Sequence, residues 1–130
     1  MAFESLQRAR FAALMTKRAN GDAVNTPVWV VVVDGKGYVV SRGPGKVKRI
    51  RANPSVEIGP SSSRGGLKAG LEPAIATIVG AEFPHEVRRA FRRKYGPLPA
   101  LGRALAGLSR RELVLIDLNG VTSAVAEEAP

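Results

Sequence analysis

From Ser41 to Pro54 the chain reads Ser-Arg-Gly-Pro-Gly-Lys-Val-Lys-Arg-Ile-Arg-Ala-Asn-Pro, the densest concentration of usable chemistry in the sequence. Gly43, Pro44 and Gly45 form a loop, after which Lys46, Lys48, Arg49 and Arg51 place four cations in six residues. A loop that opens into a helix leaves the first backbone N–H groups without intrahelical partners, and those donors attract an anion. Lys46 adds a mobile positive charge at a helix start. A cation there opposes the helix dipole by about 0.3–1 kcal/mol unless an anion neutralises it. This is chemistry for holding a phosphate. The competing reading is a solvated basic turn, and charge alone leaves both open. Ser41 either donates its hydroxyl to the anion or simply ends a strand. Gly43 and Gly45 either serve the turn or let the backbone approach a ligand closely. Arg49 and Arg51 would need no ligand on a solvated helix face. A second basic cluster, Arg88, Arg89, Arg92, Arg93 and Lys94, is a solubilising face or an anion-binding one. His85, beside Pro84, reads as a cap or surface residue.

Composition removes whole classes of function. The chain has 130 residues and no cysteine, so disulfides, thiolate catalysis and cysteine metal sites are excluded. One histidine cannot build a metal centre, and the acidic residues are scattered. The net charge of +9 points to an anionic partner: nucleic acid, an acidic membrane face or a small ligand with several negative charges. Arginine outnumbers lysine 14 to 6 alongside abundant alanine, glycine and valine, a bias that GC-rich coding also produces. Aromatic residues make up only 5%, which argues against a base-stacking nucleic-acid binder. Met1 to Arg10 lacks the apolar run of a signal peptide, and Val28 to Val33 is far too short to span a bilayer. The expectation is a soluble cytoplasmic protein.

Short elements must position these residues. Glu4 to Phe11 reads as a short amphipathic helix leading into an apolar run, Phe11 to Met15. Asn20-Gly21-Asp22 marks a tight turn, and Ala23 to Val33 reads as one strand buried on both faces, with Pro27 near its start or at a bulge. Asp34-Gly35-Lys36-Gly37 turns the chain back into Tyr38 to Ser41, giving a three-stranded antiparallel meander. Lys46 to Ala52 forms a short helix closed by Asn53-Pro54. Ser55 to Ile58 is a fourth strand and Pro60 to Gly66 a loop. Leu67 to Phe83 reads as a long or broken strand, and Pro84 opens a helix to Tyr95. A helical piece over residues 98–108 and a final strand, Arg111 to Leu118, follow. The fold class is mainly β with added α: six antiparallel strands in one domain over residues 1–120, with residues 121–130 as a tail.

The order of Leu14 to Gly21, Thr26-Pro27-Val28-Trp29, Tyr38 to Ser41 and Gly45-Lys46-Val47-Lys48-Arg49 through Asn53-Pro54 resembles the pyridoxamine-5′-phosphate-oxidase-like split-barrel superfamily. The similarity spans roughly residues 5 to 118, and within the superfamily it is greatest to the small F420-dependent (deazaflavin) class. The resemblance implies a six-stranded split β-barrel with short flanking helices and a homodimer with the cofactor at its interface. It also implies an oxidoreductase that transfers hydride between a deazaflavin and an unsaturated or quinone-like organic substrate. By position, Ser41 and Lys46 match residues that hold the cofactor phosphate, with Arg49 in the same segment. Thr16 and Lys17 match positions along the ring and ribityl chain, and Pro27, Val28 and Trp29 the strand that backs the ring. Members that bind flavin mononucleotide (FMN) commonly carry Ser-Arg-Lys where this chain has Pro44-Gly45-Lys46, which favours coenzyme F420 and leaves FMN as the alternative. F420 also carries an oligoglutamate tail, which the Arg88 to Lys94 cluster could hold. The remaining alternative is a non-catalytic protein that binds a cofactor or nucleic acid, although the shortage of aromatics makes nucleic acid the weaker reading.

Overall fold

A computed structural model describes residues 3–42, 44–80, 82–96 and 113–120. After a single 3-10 turn at Glu4–Leu6, the elements are β1 (Phe11–Lys17), β2 (Ala23–Val28), β3 (Val30–Val33), β4 (Lys36–Arg42), α1 (Pro44–Ala52), β5 (Ser55–Ser61), β6 (Glu72–Gly80), α2 (His85–Tyr95) and β7 (Leu113–Gly120). The seven strands form one antiparallel sheet in the order β2-β1-β5-β6-β7-β4-β3.

The two outermost strands of that order are consecutive in the chain, separated only by Trp29. One residue spans less than about 4 Å per step, so the sheet must curl until its edges meet there. The Val40 N–H donates to the Trp29 carbonyl at 3.4 Å and ties β4 to this corner. The expected count of six strands becomes seven because Ala23 to Val33 is bent at Trp29 rather than straight. The meander is likewise corrected. β1 pairs with β2, and β3 pairs with β4, but the two hairpins lie at opposite ends of the strand order.

Side chains alternate across the strands with period two, so β3, β4 and β7, which α2 covers, feed two cores, and the other strands feed the inner one. Leu14, Val28, Val30, Val39, Ile58 and Ile116 face the inner core, with Phe3 and Leu6 of the 3-10 turn and Ile50 of α1 packed among them. Val31 and Leu115 face outward, where Val87, Phe91 and Tyr95 of α2 cover them. These three α2 residues lie four apart, the spacing that stacks side chains on one helix face. Burial on both sides explains why the Val28 to Val33 run is apolar without alternation.

The hairpin at Asp34 and Gly35 has positive φ at both residues, 52° and 76°. That is the two-residue geometry whose twist matches flanking strands, and glycine adopts it without penalty. At the N-terminus the expected helix over Glu4 to Phe11 shrinks to Glu4–Leu6. There the Phe3 N–H and the Ser5 hydroxyl donate to the two carboxylate oxygens of Glu72, at 3.0 and 3.2 Å. This clamp fixes Phe3 and Leu6 in the core, and Phe11 already belongs to β1. β5 continues through Pro60 and Ser61, which the sequence placed in a loop. β6 is shorter than the expected Leu67 to Phe83 and carries a bulge between Ile78 and Gly80. The helical piece expected over residues 98–108 and the tail lie outside the described residues.

Candidate functional site

Thr16 lies near the end of β1 on the same face as Ala12 and Leu14, and it is completely buried. A buried hydroxyl needs a partner. It finds one 33 residues away: Arg49 Nε donates to Thr16 Oγ1 at 2.7 Å. α1 crosses the end of the barrel with Ile50 seated in the inner core, which leaves Arg49 on the side facing β1. Helical side chains lean toward the helix N-terminus. The Arg49 guanidinium does so here: a Cβ added at Gly45 would stand 3.2 Å from Nη1. Glycine at 45 therefore leaves room for the Arg49 head group over the first turn of α1.

Lys46 shares this turn and is half-buried. Burial, and secondarily the Arg49 charge beside it, hold its ammonium below the ordinary lysine range. No acidic residue stands in the first turn of α1. Two cations and the positive end of a helix thus converge on one spot, an arrangement whose self-repulsion an anion relieves. The donor set of a primary ammonium, a forked guanidinium and backbone N–H groups is the one that recognises phosphate.

The remaining site candidates are more dispersed. Lys17 is exposed and projects from β1 on the face opposite Thr16. Ser41 is placed by its backbone, opposite Val114 in β7. Val28 points into the inner core, whereas Trp29 packs outward, its ring stacked on Tyr95 at 5.2 Å between centroids. Pro27 is half-buried opposite Ala13. The structure therefore joins Thr16, Lys46 and Arg49, while Pro27, Val28 and Trp29 do not share one face. Gly45 is the residue that sequence reasoning undervalued. The clue was the spacing of four to Arg49, which puts both on one side of a helix.

Several solved structures share this architecture. The heme storage protein HutZ from Vibrio cholerae matches with a TM-score of 0.64 at 16% identity, over 92% of this chain and 91% of that one. An F420 reductase matches with a TM-score of 0.62 at 16% identity, over 92% of each chain. A putative pyridoxamine 5′-phosphate oxidase from Listeria innocua matches with a TM-score of 0.58 at 13% identity, covering 88% of this chain and 86% of the other. The fold is that of the pyridoxamine 5′-phosphate oxidase-like split barrels. No protein-family model and no curated sequence matches the chain. At such identities the shared property is the fold, and function has to be argued from the site.

In this split barrel the second basic cluster divides. Arg88, Arg89, Arg92 and Arg93 are exposed, whereas Lys94 turns inward. Its ammonium donates to the carbonyls of Leu6 at 2.9 Å and Val30 at 2.6 Å. Burial, and then the nearby Arg10, bring its pKa down to about 8. The Val30 N–H donates to Tyr95 Oη at 2.9 Å, and that hydroxyl lies 2.9 Å from the Arg10 carbonyl and 3.0 Å from the Val30 carbonyl. Burial pushes the Tyr95 phenol up to about 12. Lys94 and Tyr95 thus fasten the end of α2 to β3 and the N-terminal segment. Among the described residues there is no acid–histidine cluster suited to a metal and no helix long and apolar enough to cross a membrane.

Proposed function

We propose that this chain is a homodimeric F420-dependent oxidoreductase of the cytoplasm, with the cofactor phosphate held at the start of α1. The observation that carries the reading is the convergence of Arg49, oriented by the buried Thr16 hydroxyl, and half-buried Lys46 on a helix N-terminus with no acid in its first turn. The shared fold with an F420 reductase supports it. The residues present fit a phosphate-bearing cofactor: the open space at Gly45 admits the guanidinium, and the donors around it suit a phosphate diester or monoester.

When bound, a reduced deazaflavin supplies hydride to an unsaturated or quinone-like acceptor. The protein's part in such chemistry is binding, orientation and exclusion of water. Lys46 and Arg49 neutralise the phosphate and anchor one end of the cofactor. Thr16 fixes the direction of the Arg49 fork. In a dimer of this kind, Lys17 and Pro27 on the β1–β2 hairpin would be the residues in reach of the rest of the cofactor. Hydride addition leaves the acceptor as an anion, which would take its proton from solvent, so the step needs no dedicated acid from the protein.

FMN is the alternative that Arg49 keeps in view. The arginine missing at position 45 is matched in space by a guanidinium arriving from one turn later. The reading is tested by mixing the purified protein with reduced F420 and quinone acceptors and following reoxidation optically. Protein-dependent reoxidation is expected. Tight retention of FMN or heme without any F420-linked turnover would contradict it.

A further inference from the structure

Away from the start of α1, α2 carries four exposed arginines. We propose that its exposed face binds the phosphate backbone of double-stranded nucleic acid without sequence preference. Arg88, Arg89, Arg92 and Arg93 are all exposed, and at 100° per residue they fall within about 140° of the helix surface. They form two rows, Arg88 with Arg92 and Arg89 with Arg93, each pair about 6 Å apart along the axis. None of the four forms an ion pair among the described residues. Glu86 borders the face as the one acid of the helix, and the His85 ring lies within it, its Nε2 3.4 Å from Arg89 Nη2. This surface lies on the outer side of the sheet, opposite the inner core into which α1 packs, and the proposal stands independently of the cofactor reading.

The chemistry of the face selects the partner. All four cations are arginine, whose planar fork pairs with phosphate in two-point contacts, and the one lysine of the helix points into the fold. A helix that enters a lipid interface buries its apolar face there, but the apolar residues of α2, Val87, Phe91 and Tyr95, already pack on the barrel. A protein partner would be expected to engage aromatic or aliphatic anchors, and this face has none. The scarcity of aromatics noted in the sequence argues against single-strand base stacking and leaves backbone contact intact. Trp29 and Tyr95 are engaged with each other and offer no stacking platform. Duplex DNA or RNA presents about one negative charge per 1.7 Å of axis, so four arginines meet phosphates in any register.

The test is fluorescence anisotropy of a short mixed-sequence duplex titrated with the full-length protein at several salt concentrations. Neutralising four phosphates gives a slope of log affinity against log salt of about −3.6 from this face alone. The quadruple variant Arg88→Gln/Arg89→Gln/Arg92→Gln/Arg93→Gln should bind at least about tenfold more weakly at moderate salt, with a slope shallower by about 3 to 4. Lys46→Ala should leave the slope within about 1 of the unaltered protein. Thermal unfolding of the quadruple variant checks that it is folded. Should it not fold, the pair Arg89→Gln/Arg92→Gln should still reduce the slope by about 2. An unchanged slope in either folded variant, no duplex binding at low salt, or binding to anionic vesicles in preference to duplex overturns the proposal.

Discussion

At the scale of the residue, the account rests on a buried threonine aiming an arginine. Thr16→Val keeps the volume and removes the acceptor of the Arg49 Nε hydrogen bond. A hydrogen bond to a charged group contributes about 1.5–3 kcal/mol to stability, so the thermal midpoint should fall by several degrees. With the guanidinium no longer aimed, calorimetry on the folded variant should also show F420 affinity falling by roughly tenfold. Gly45→Ala separates fold from function in the opposite way. Replacing a helical glycine stabilises by up to about 1 kcal/mol, yet the added methyl would press on the guanidinium at 3.2 Å. The variant should therefore melt higher and bind the cofactor several-fold more weakly, and equal binding would show that Arg49 needs no such room. Lys94 and Tyr95 give a pH signature. Lys94 titrates at about 8 in the fold against 10.5 ordinarily, so between those values the unfolded chain holds more protons and stability rises with pH. Tyr95 titrates at about 12 against 10.0, so the stability it contributes is intact below pH 10 and lost between 10 and 12. Denaturant unfolding across this range should show a rise above pH 8 that Lys94→Met abolishes, followed by a fall that Tyr95→Phe removes.

At the scale of the element, α2 and the segment after β5 carry sharp expectations. Phe91 is fully buried between α2 and the outer face of β3 and β7. Phe91→Ala should cost about 3–5 kcal/mol, read as a lowered denaturant midpoint. In β5, a Cβ at Gly59 would stand 2.7 Å from the Gly70 carbonyl oxygen, which is backbone and cannot swing aside. Gly59→Ala should therefore displace the loop before β6 at a cost of about 1–3 kcal/mol. The elements differed in how plainly the sequence announced them. Asp34-Gly35 gave the β3–β4 hairpin because that dipeptide supports left-handed backbone at both positions. Glycines, a proline and a charge run marked α1, and Asn53-Pro54 ended it. The corner at Trp29 was not legible. A run of β-branched residues buried on both faces has no period to interrupt, and the break becomes visible only when the sheet curls on itself. The N-terminal turn was misread because its fixing contact, Glu72, lies far along the chain.

At the scale of the whole molecule, a small barrel fed by two-faced strands supports one helix at its end and another on its flank. The end helix carries Lys46 and Arg49 in its first turns, the groups proposed to hold a phosphate, and the flank helix an arginine surface. The helix start at Pro44 to Arg51 was readable because helix-start chemistry is local. The orientation of Arg49 by Thr16 was not, since a contact across 33 residues leaves no local trace. The inward turn of Lys94 was hidden for a related reason: within a charge run, one lysine looks like its neighbours until the carbonyls that receive it are known. The central claim is that Lys46 and Arg49 grip the phosphate of a deazaflavin. Isothermal titration of the unaltered protein and of Lys46→Ala with F420, alongside FMN and heme, tests it most directly. The account predicts micromolar or tighter F420 binding that Lys46→Ala weakens by about tenfold to a hundredfold, the scale of one lost charge-assisted contact. F420 binding that is absent, or that survives Lys46→Ala unchanged, would contradict it.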